Sequence, residues 1–470
     1  MASWASSLFS KKKVDIEEVS VKSLESSKSA EASVVSSNTK TTGVSVVSGN
    51  TKPTTVSNSK QPLEVLKKLA PIRDLKDDDL MQIEQSVLSY PAGSTVFTLG
   101  EKSEHIYYLL KGGIELESDG GANYFIAEGS SLANLPLNSG KICGATAITK
   151  EPSAILSIPT TVMQWWVNKS KSQQQGSNLE VIDIELPKEI PDTQFFKSFA
   201  QAYRENKLSL PSLPQVAIKL RKAMEKDDIG VKDVIKIIEI DAPIVAKLIQ
   251  VSNSALYASP TPIKNCHDAV TRLGLETTKK LVMGISVKQL FQSKSPQLMA
   301  KMQELWKKSL HISSLSFVLA QESGDVNPED ALLAGLICDI GAIPLIHFAE
   351  QNPESYPDLN DLQTVMPYLN PPVGSLVLHT LGFSNEISEI PKHAEDWYYE
   401  SNGDKLTLID VVILAKLHSY FGTARAKELP YINSLPAYAK LKNGKLNADF
   451  SLDILSKAQQ RIDAAMSMFA

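Results

Sequence analysis

The chain has 470 residues, 43% of them apolar and 21% charged, and a formal net charge of −5. That length implies two or three domains with sizeable cores, and the acidic balance excludes a whole-chain electrostatic footprint for nucleic acid. Three scattered cysteines, Cys143, Cys266 and Cys338, have neither disulfide-framework nor zinc-knuckle spacing, so a reducing, cytoplasmic setting is expected.

In chain order, residues 1–60 form a predicted disordered tail. Of these 60 residues 22 are Ser or Thr, and with almost no large apolar side chains the segment cannot offset the entropy of ordering. The run Ser33 to Lys40 recurs, with one change, as Ser45 to Lys52. A short period seen twice reads as linker expansion and not as a stacked repeat fold. At the start, Lys11, Lys12 and Lys13 follow the serine-broken apolar residues Trp4, Leu8 and Phe9, the reverse of a secretory signal. A frayed terminus is expected there, with a short membrane-touching turn as the alternative.

Residues 61–167 read as a small β-roll. Helical spacing in Leu63–Leu69 and Asp77–Val87 precedes short strand-like runs at Ser94–Leu99, His105–Lys111, Ile114–Ser118, Tyr124–Ala127 and Ile155–Ile158. Glycines at 93, 100, 112–113 and 120–121 mark the corners. Residues 168–193 are polar and then proline-containing, a predicted linker. Residues 194–425 carry helical periodicity in almost every long segment: 216–224, 231–240, 244–251, 267–273, 277–291, 305–321, 328–348 and 407–420. Residues 426–470 are a predicted C-terminal helical extension, with Leu452, Ile454, Leu455, Ile462 and Met466 near one face. The fold class is multidomain α+β: disordered tail, small β-roll and large all-α domain. No apolar run reaches the roughly 18–20 residues of a membrane span, so no span is expected. The best candidate, Leu406–Ala415, is short and interrupted by Asp410.

The run Pro91-Ala92-Gly93-Ser94-Thr95-Val96-Phe97-Thr98-Leu99-Gly100-Glu101, followed by Tyr107 to Leu116 with its Gly112-Gly113 corner, resembles the first half of a cyclic-nucleotide-binding domain. The resemblance covers roughly residues 63–167. It implies a short helix whose N–H groups meet a cyclic phosphate, a glutamate after a glycine for the ribose hydroxyl, and an arginine for the phosphate. Here the Gly-Glu pair falls at Ala133-Asn134, and the arginine falls at or next to Cys143, in Cys143-Gly144-Ala145-Thr146. Neither charged partner is present. Lys141 is a flexible point charge two residues away and replaces a bidentate fork poorly. The β-roll is therefore expected to be a scaffold or contact module, with binding of a nucleotide second messenger as the alternative.

Three stretches further on carry a second resemblance: Leu210-Pro211-Ser212-Leu213-Pro214-Gln215-Val216, Ile240-Asp241-Ala242-Pro243, and Leu248 to Tyr257 with its Asn253-Ser254-Ala255-Leu256-Tyr257 end. With Ala269-Val270-Thr271-Arg272-Leu273-Gly274-Leu275 they resemble the HDOD family, the HD-related output domains, over roughly residues 196–425. Catalytic HD enzymes bind divalent metal through a first histidine, a His-Asp pair and a late aspartate. The resemblance puts these at His311, Cys338-Asp339 and Lys416. Gly335-Leu336-Ile337-Cys338-Asp339-Ile340-Gly341 thus keeps the aspartate and loses its histidine. Thiolate alone would tolerate zinc, but an ammonium aimed at a dication is repulsive and offers no acceptor. No metal and no cofactor are expected, and Asp339 is expected to cap or pair locally, with Lys416 as the candidate partner. His347, His379, His393 and His418 lie on separate segments and read as structural or surface histidines. Glu395-Asp396-Trp397-Tyr398-Tyr399 reads as an acidic-aromatic edge at a helix end or loop.

The expected function is a non-enzymatic, cytoplasmic bacterial signal-transduction protein. A catalytically dead HD-like domain serves as a protein- or ligand-binding output module beside a degenerate cyclic-nucleotide-binding-like domain. Its partners are unknown signalling proteins, with a nucleotide second messenger as a candidate ligand; neither nucleic acid nor membrane is expected. Two rivals stand beside it. One is an HD phosphohydrolase with a variant Cys-Asp site. The other is a cyclic-nucleotide-responsive regulator, which requires a DNA-reading helix pair that the segment after the roll does not offer.

Overall fold

The computed structural model describes residues 50–161 and 194–469, apart from breaks at 119–122, 139–141, 206, 226–228, 255, 258–260, 354–358, 422, 424, 427–428, 442–454 and 456–457. The expectations for residues 1–49, the linker 168–193, Lys141, Ala255, Leu452 and Ile454 lie outside the described residues.

Alternating apolar residues build the β-roll. Eight described strands, β1 (Thr55–Ser57), β2 (Ser86–Tyr90), β3 (Thr95–Phe97), β4 (His105–Lys111), β5 (Gly113–Glu117), β6 (Asn123–Ala127), β7 (Thr146–Thr149) and β8 (Ser153–Pro159), form two antiparallel four-stranded sheets. Their orders are β1-β2-β8-β4 and β3-β7-β5-β6. Ile106 and Tyr108 of β4, Ile114 and Leu116 of β5 and Leu156 of β8 are buried, so the core lies between the sheets. Two short helices, α1 (Leu63–Leu66) and α2 (Asp77–Gln82), lie between β1 and β2 in the chain.

The roll begins earlier than the composition of residues 1–60 implied. Asn50 donates to Glu101 Oε1 at 2.6 Å, Thr51 N donates to the Thr95 carbonyl at 2.8 Å, and β1 pairs with β2. Local composition read this segment as tail because its ordering comes from a partner strand, a long-range contact.

The helical domain comprises α3 (Gln194–Arg204), α4 (Gln215–Ala223), α5 (Val231–Ile238), α6 (Ala242–Ser252), α7 (Cys266–Leu273), α8 (Leu275–Val287), α9 (Pro296–Ser323), α10 (Pro328–Ile337), α11 (Ala342–Gln351), α12 (Leu359–Thr380), α13 (Asn385–His393), α14 (Leu408–Ser419) and α15 (Gln459–Phe469). Local chemistry sets many boundaries. Asp241, Asn265, Ser295, Asn327 and Thr407 cap the helices that follow them through side-chain oxygens. Pro243, Pro296 and Pro328 lie in first turns, where a missing N–H costs nothing.

Three expectations need correction. The continuous helix expected over 328–348 is two helices, α10 and α11, separated by a turn at 338–341. The segment Pro328–Gln351 is long and apolar enough to cross a membrane by composition, contrary to the sequence-based survey, but its most apolar window is 94% buried within the fold. The extension 426–470 is helical at α15, while residues 429–441 form a strap with only two 3-10 turns, at Ile432–Ser434 and Tyr438–Lys440. Its prolines, Pro430 and Pro436, interrupt any helix. The α15 face is as expected where described: Leu455 and Ile462 are buried and Met466 packs beside them.

Candidate functional site

Two elements bring the vestigial metal positions together. The α10 helix ends at Cys338, whose Sγ donates to the Gly335 carbonyl at 3.2 Å, and the turn after it presents Asp339. The α14 helix starts on a capping box. Asp410 N donates to Thr407 Oγ1 at 3.3 Å, while Thr407 N donates to Asp410 Oδ2 at 2.8 Å. A turn and a half later α14 places Lys416, 2% exposed, against Asp339. The pairing expected from the sequence is present: Lys416 Nζ donates to Asp339 Oδ1 at 2.6 Å.

Further groups complete the cluster. Lys308 Nζ lies 3.3 Å from Asp339 Oδ2, and Asn370 Nδ2 donates to Asp339 Oδ1 at 2.8 Å. On the other side Lys416 Nζ meets Glu395 Oε1 at 3.1 Å, and Arg425 Nη2 donates to Glu395 Oε2 at 2.5 Å. The Tyr420 hydroxyl donates to Glu395 Oε1 at 2.6 Å, while Lys308 and Arg425 lie over the Tyr420 ring at 4.7 and 4.5 Å from its centre. The result is an alternating network of three cations and two carboxylates, with Asp339 and Lys416 buried at its centre and Lys308, Glu395 and Arg425 partly exposed around them.

The electrostatics follow from that alternation. Burial alone would raise the Asp339 carboxyl, but Lys308 and Lys416 outweigh it and hold the group well below the usual carboxylate range. Burial likewise opposes ionisation of Glu395, yet Lys416 and Arg425 hold it at about 2. For Lys416, the desolvation that would lower its pKa is overcome by Asp339 and Glu395, so its charge is stabilised. Burial, reinforced by Asp339, pushes the Cys338 thiol up to about 12, so it is a neutral thiol at physiological pH.

His311 is placed differently from Lys308. Lys308, one turn earlier on α9, reaches Asp339, whereas His311 is coupled to Asp463 and His418. Lys308, Glu395, Asn370 and Arg425 were not singled out as site residues. Lys308 had a sequence signal in its three-residue spacing from His311 on one helix. The other three come from separate elements and carry no motif. Among the described residues no group of three or more His, Cys, Asp or Glu side chains is arranged to hold a metal ion.

The cassette of the β-roll is built from backbone and apolar groups. Ala133 lies on the 3-10 turn Ser131–Asn134, capped by Ser130 Oγ, and the Asn134 carbonyl accepts from Ala70 N at 2.9 Å. Cys143 and Ala145 are fully buried, and Thr146 Oγ1 accepts from Leu99 N at 3.1 Å. The strap 429–441 covers Gly144. A Cβ added there would lie 2.5 Å from Tyr438 Cε1 and 2.6 Å from Asn433 Cβ. Tyr431 packs edge-on against Tyr124 of β6 at 4.6 Å. At its other end the strap is tied to the helical domain, where Lys440 Nζ donates to the Ser401 carbonyl at 3.0 Å and meets Asp410 Oδ2 at 3.2 Å. A side chain at Gly144, next to Cys143, and this strap exclude each other.

Comparison with known proteins places both modules. Residues 210–392 match the model of the HDOD domain, and residues 87–170 match that of the cyclic nucleotide-binding domain. A crystal structure from Shewanella amazonensis, named for a metal-dependent phosphohydrolase, is 26% identical with a TM-score of 0.52 and covers 59% of this chain and 98% of that one. An HDOD domain protein of unknown function from Geobacter sulfurreducens is 16% identical with a TM-score of 0.42, covering 58% of this chain and 96% of that one. An uncharacterized protein of Treponema pallidum (strain Nichols) is 24% identical over 155 residues, 33% of this chain and 29% of its own length. The chain carries a cyclic nucleotide-binding domain at 87–170 followed by an HDOD domain at 210–392, a combination that indicates signalling.

Proposed function

We propose that the HDOD domain of this protein is a non-catalytic binding platform and that the β-roll acts as its fixed docking partner. The observation that carries this reading is the position of Lys416, whose ammonium sits between Asp339 and Glu395 where a metal-dependent relative would hold a dication. Lys308 adds a second positive charge on the far oxygen of Asp339. A divalent cation needs several converging oxygen or nitrogen donors. Here the retained carboxylate is already neutralised, and its neighbour is a neutral thiol. This donor set does not fit a metal ion.

The closed cassette supports the same reading for the β-roll. The space beside Gly144, next to Cys143, is filled from outside by Tyr438 and Asn433, and no acidic side chain stands at Ala133-Asn134. The rival reading, a phosphohydrolase with a variant site, draws on the name of the Shewanella amazonensis protein at 26% identity. Elemental analysis of the purified chain, combined with phosphodiester and nucleotide hydrolysis assays in Mn²⁺, Mg²⁺ and Zn²⁺, separates the two. We expect no stoichiometric metal and no turnover. Stoichiometric metal, with hydrolysis abolished by Asp339→Ala, would overturn the non-catalytic reading.

A further inference from the structure

The duplication near the start of the chain extends beyond Lys52. Of the thirteen residues 33–45, ten are identical to residues 45–57 at the same spacing, and the differences are Ser37 for Gly49, Thr41 for Pro53 and Gly43 for Thr55. The latter part of the second copy, Asn50-Thr51-Lys52-Pro53-Thr54-Thr55-Val56-Ser57, belongs to the roll. It runs from β3, at the edge of one sheet, to β2 of the other.

Three side chains give that segment its place. Asn50 Nδ2 donates to both oxygens of Glu101, at 2.6 and 2.7 Å. Thr51 N donates to the Thr95 carbonyl at 2.8 Å, and Thr51 Oγ1 accepts from Thr95 N at 3.0 Å. Thr54 donates to the Ser89 carbonyl through both its N–H and its hydroxyl, at 2.8 and 3.0 Å. Beyond them β1 pairs with β2, and Val56 stands opposite Leu88. Each of these side chains recurs twelve residues earlier in the sequence, as Asn38, Thr39, Thr42 and Val44.

The hold on the segment is polar and shallow. Apart from the partly exposed Pro53, residues 50–57 are exposed, Val56 to 59%. A strand held at a sheet edge by hydrogen bonds, with no buried apolar side chain, belongs to the part of a fold that opens at least cost.

We propose that the edge built by Glu101, Thr95 and β2 is a recognition site for the strand Asn-Thr-Lys-x-Thr-x-Val-Ser, and that residues 38–45 are its second, exchangeable occupant. The exchange is independent of the binding-platform reading. The two occupants differ in strength. Gly43 in place of Thr55 weakens a strand interior, and Thr41 lacks the fixed φ of Pro53. Asn58, whose Oδ1 accepts from Ser86 Oγ at 3.1 Å, has Val46 as its counterpart, so that bond is lost as well. Residues 50–57 are therefore the major occupant and residues 38–45 the minor one, at roughly one part in ten to one part in a hundred. Exchange moves the point at which the roll grips the chain by twelve residues. The stretch ahead of the grip shortens from residues 1–49 to residues 1–37, and the connection to α1 lengthens by the same amount. The repeat thus sets the tether in two discrete lengths.

The test is disulfide trapping in the full chain. Leu88→Cys is combined with a single cysteine placed in turn at positions 42 to 46, and Val56→Cys with Leu88→Cys is the reference pair. The native cysteines Cys143, Cys266 and Cys338 are buried. A disulfide needs its partners directly opposite, so the rate of intrachain bridging is expected to peak at Val44→Cys, at least about threefold above positions 42 and 46. Asn50→Ala, Thr51→Ala and Thr54→Ala together weaken the major occupant and should raise the rate at Val44→Cys about tenfold. Asn38→Ala, Thr39→Ala and Thr42→Ala together should abolish the peak. Thermal melts show that each variant folds. The proposal is overturned by a rate that is flat across positions 42–46, or by a peak that either triple substitution leaves unchanged. Bridges that form only between two chains, seen as dimers on a non-reducing gel, overturn it equally.

Discussion

Lys416 brings a full charge into a helix face whose neighbours Val412, Ile413 and Ala415 are all buried. Such a charge is tolerated only when its partners replace the lost hydration, and here Asp339 and Glu395 do so at 2.6 and 3.1 Å. Removing one member leaves the others uncompensated, so Lys416→Met is expected to destabilise the domain by about 3–5 kcal/mol in chemical denaturation. Adding Asp339→Leu to that variant should cost less than the sum of the two single changes, because the second removes the charge the first exposed; additive losses would contradict the pairing. The pH dependence has a definite sign. Glu395 is held at about 2 by Lys416 and Arg425 against its burial, below its value in an unfolded chain. Its contribution is therefore complete above about pH 4.3 and lost as the pH falls toward 2, since the unfolded chain takes up the proton first. Denaturation midpoints followed from pH 6 downward should fall more steeply in the native chain than in Lys416→Met. The Asp339–Lys416 pair was legible because both residues sit at positions of one motif. Glu395 and Arg425 were not, because a carboxylate in an acidic-aromatic loop and an arginine between the predicted helix 407–420 and the C-terminal extension signal nothing locally.

The elements differ in how openly the sequence declares them. The start of α10, with its Asn327 cap and first-turn Pro328, was placed from the sequence, whereas α9 starts at Pro296 after its Ser295 cap, well before the expected 305, and only its C-terminal end was placed to within a few residues. By contrast, α12 was hidden by Pro367, Pro371 and Pro372, which locally argue for a break. It persists because its backbone packs tightly against the turn after α10: a Cβ on Gly341 would run into the Asn370 carbonyl and lie 2.5 Å from Gly374 N. The strap 429–441 was equally hidden, since an irregular segment acquires burial only from what surrounds it. Its fit makes a clear expectation. Gly144→Val places a Cβ against Tyr438 and Asn433, and should cost about 1–3 kcal/mol through overpacking. Tyr438→Ala in the same chain should recover part of that loss in thermal melts. If Gly144→Val melts like the native protein, the strap does not close on the cassette in solution.

At the scale of the whole molecule, the order of the two modules could be read from the chain, but their junction could not, because no local pattern announces that a distant strap will lie between them. Interfaces between domains of one chain commonly allow relative motion unless they are large and apolar. Here the strap changes that balance. Of residues 429–440 only Ala439 is more than marginally exposed, and the segment has little regular structure of its own to hold its backbone. Tyr431 and Tyr438 bind it to the roll, while Lys440, buried beside the fully buried Asp410, binds it to α14. Melting either module would expose the strap and leave the Lys440–Asp410 pair with one side unsupported, so neither module retains its full stability after the other unfolds. Scanning calorimetry of the native chain should therefore give one coupled transition for residues 50–469. Tyr431→Ala together with Tyr438→Ala removes the aromatic contacts with the roll and leaves the lysine anchor in place. This double variant should split the transition, with the roll melting first and α14 retaining its stability. Two separate transitions in the native chain would instead mean that the modules are independent.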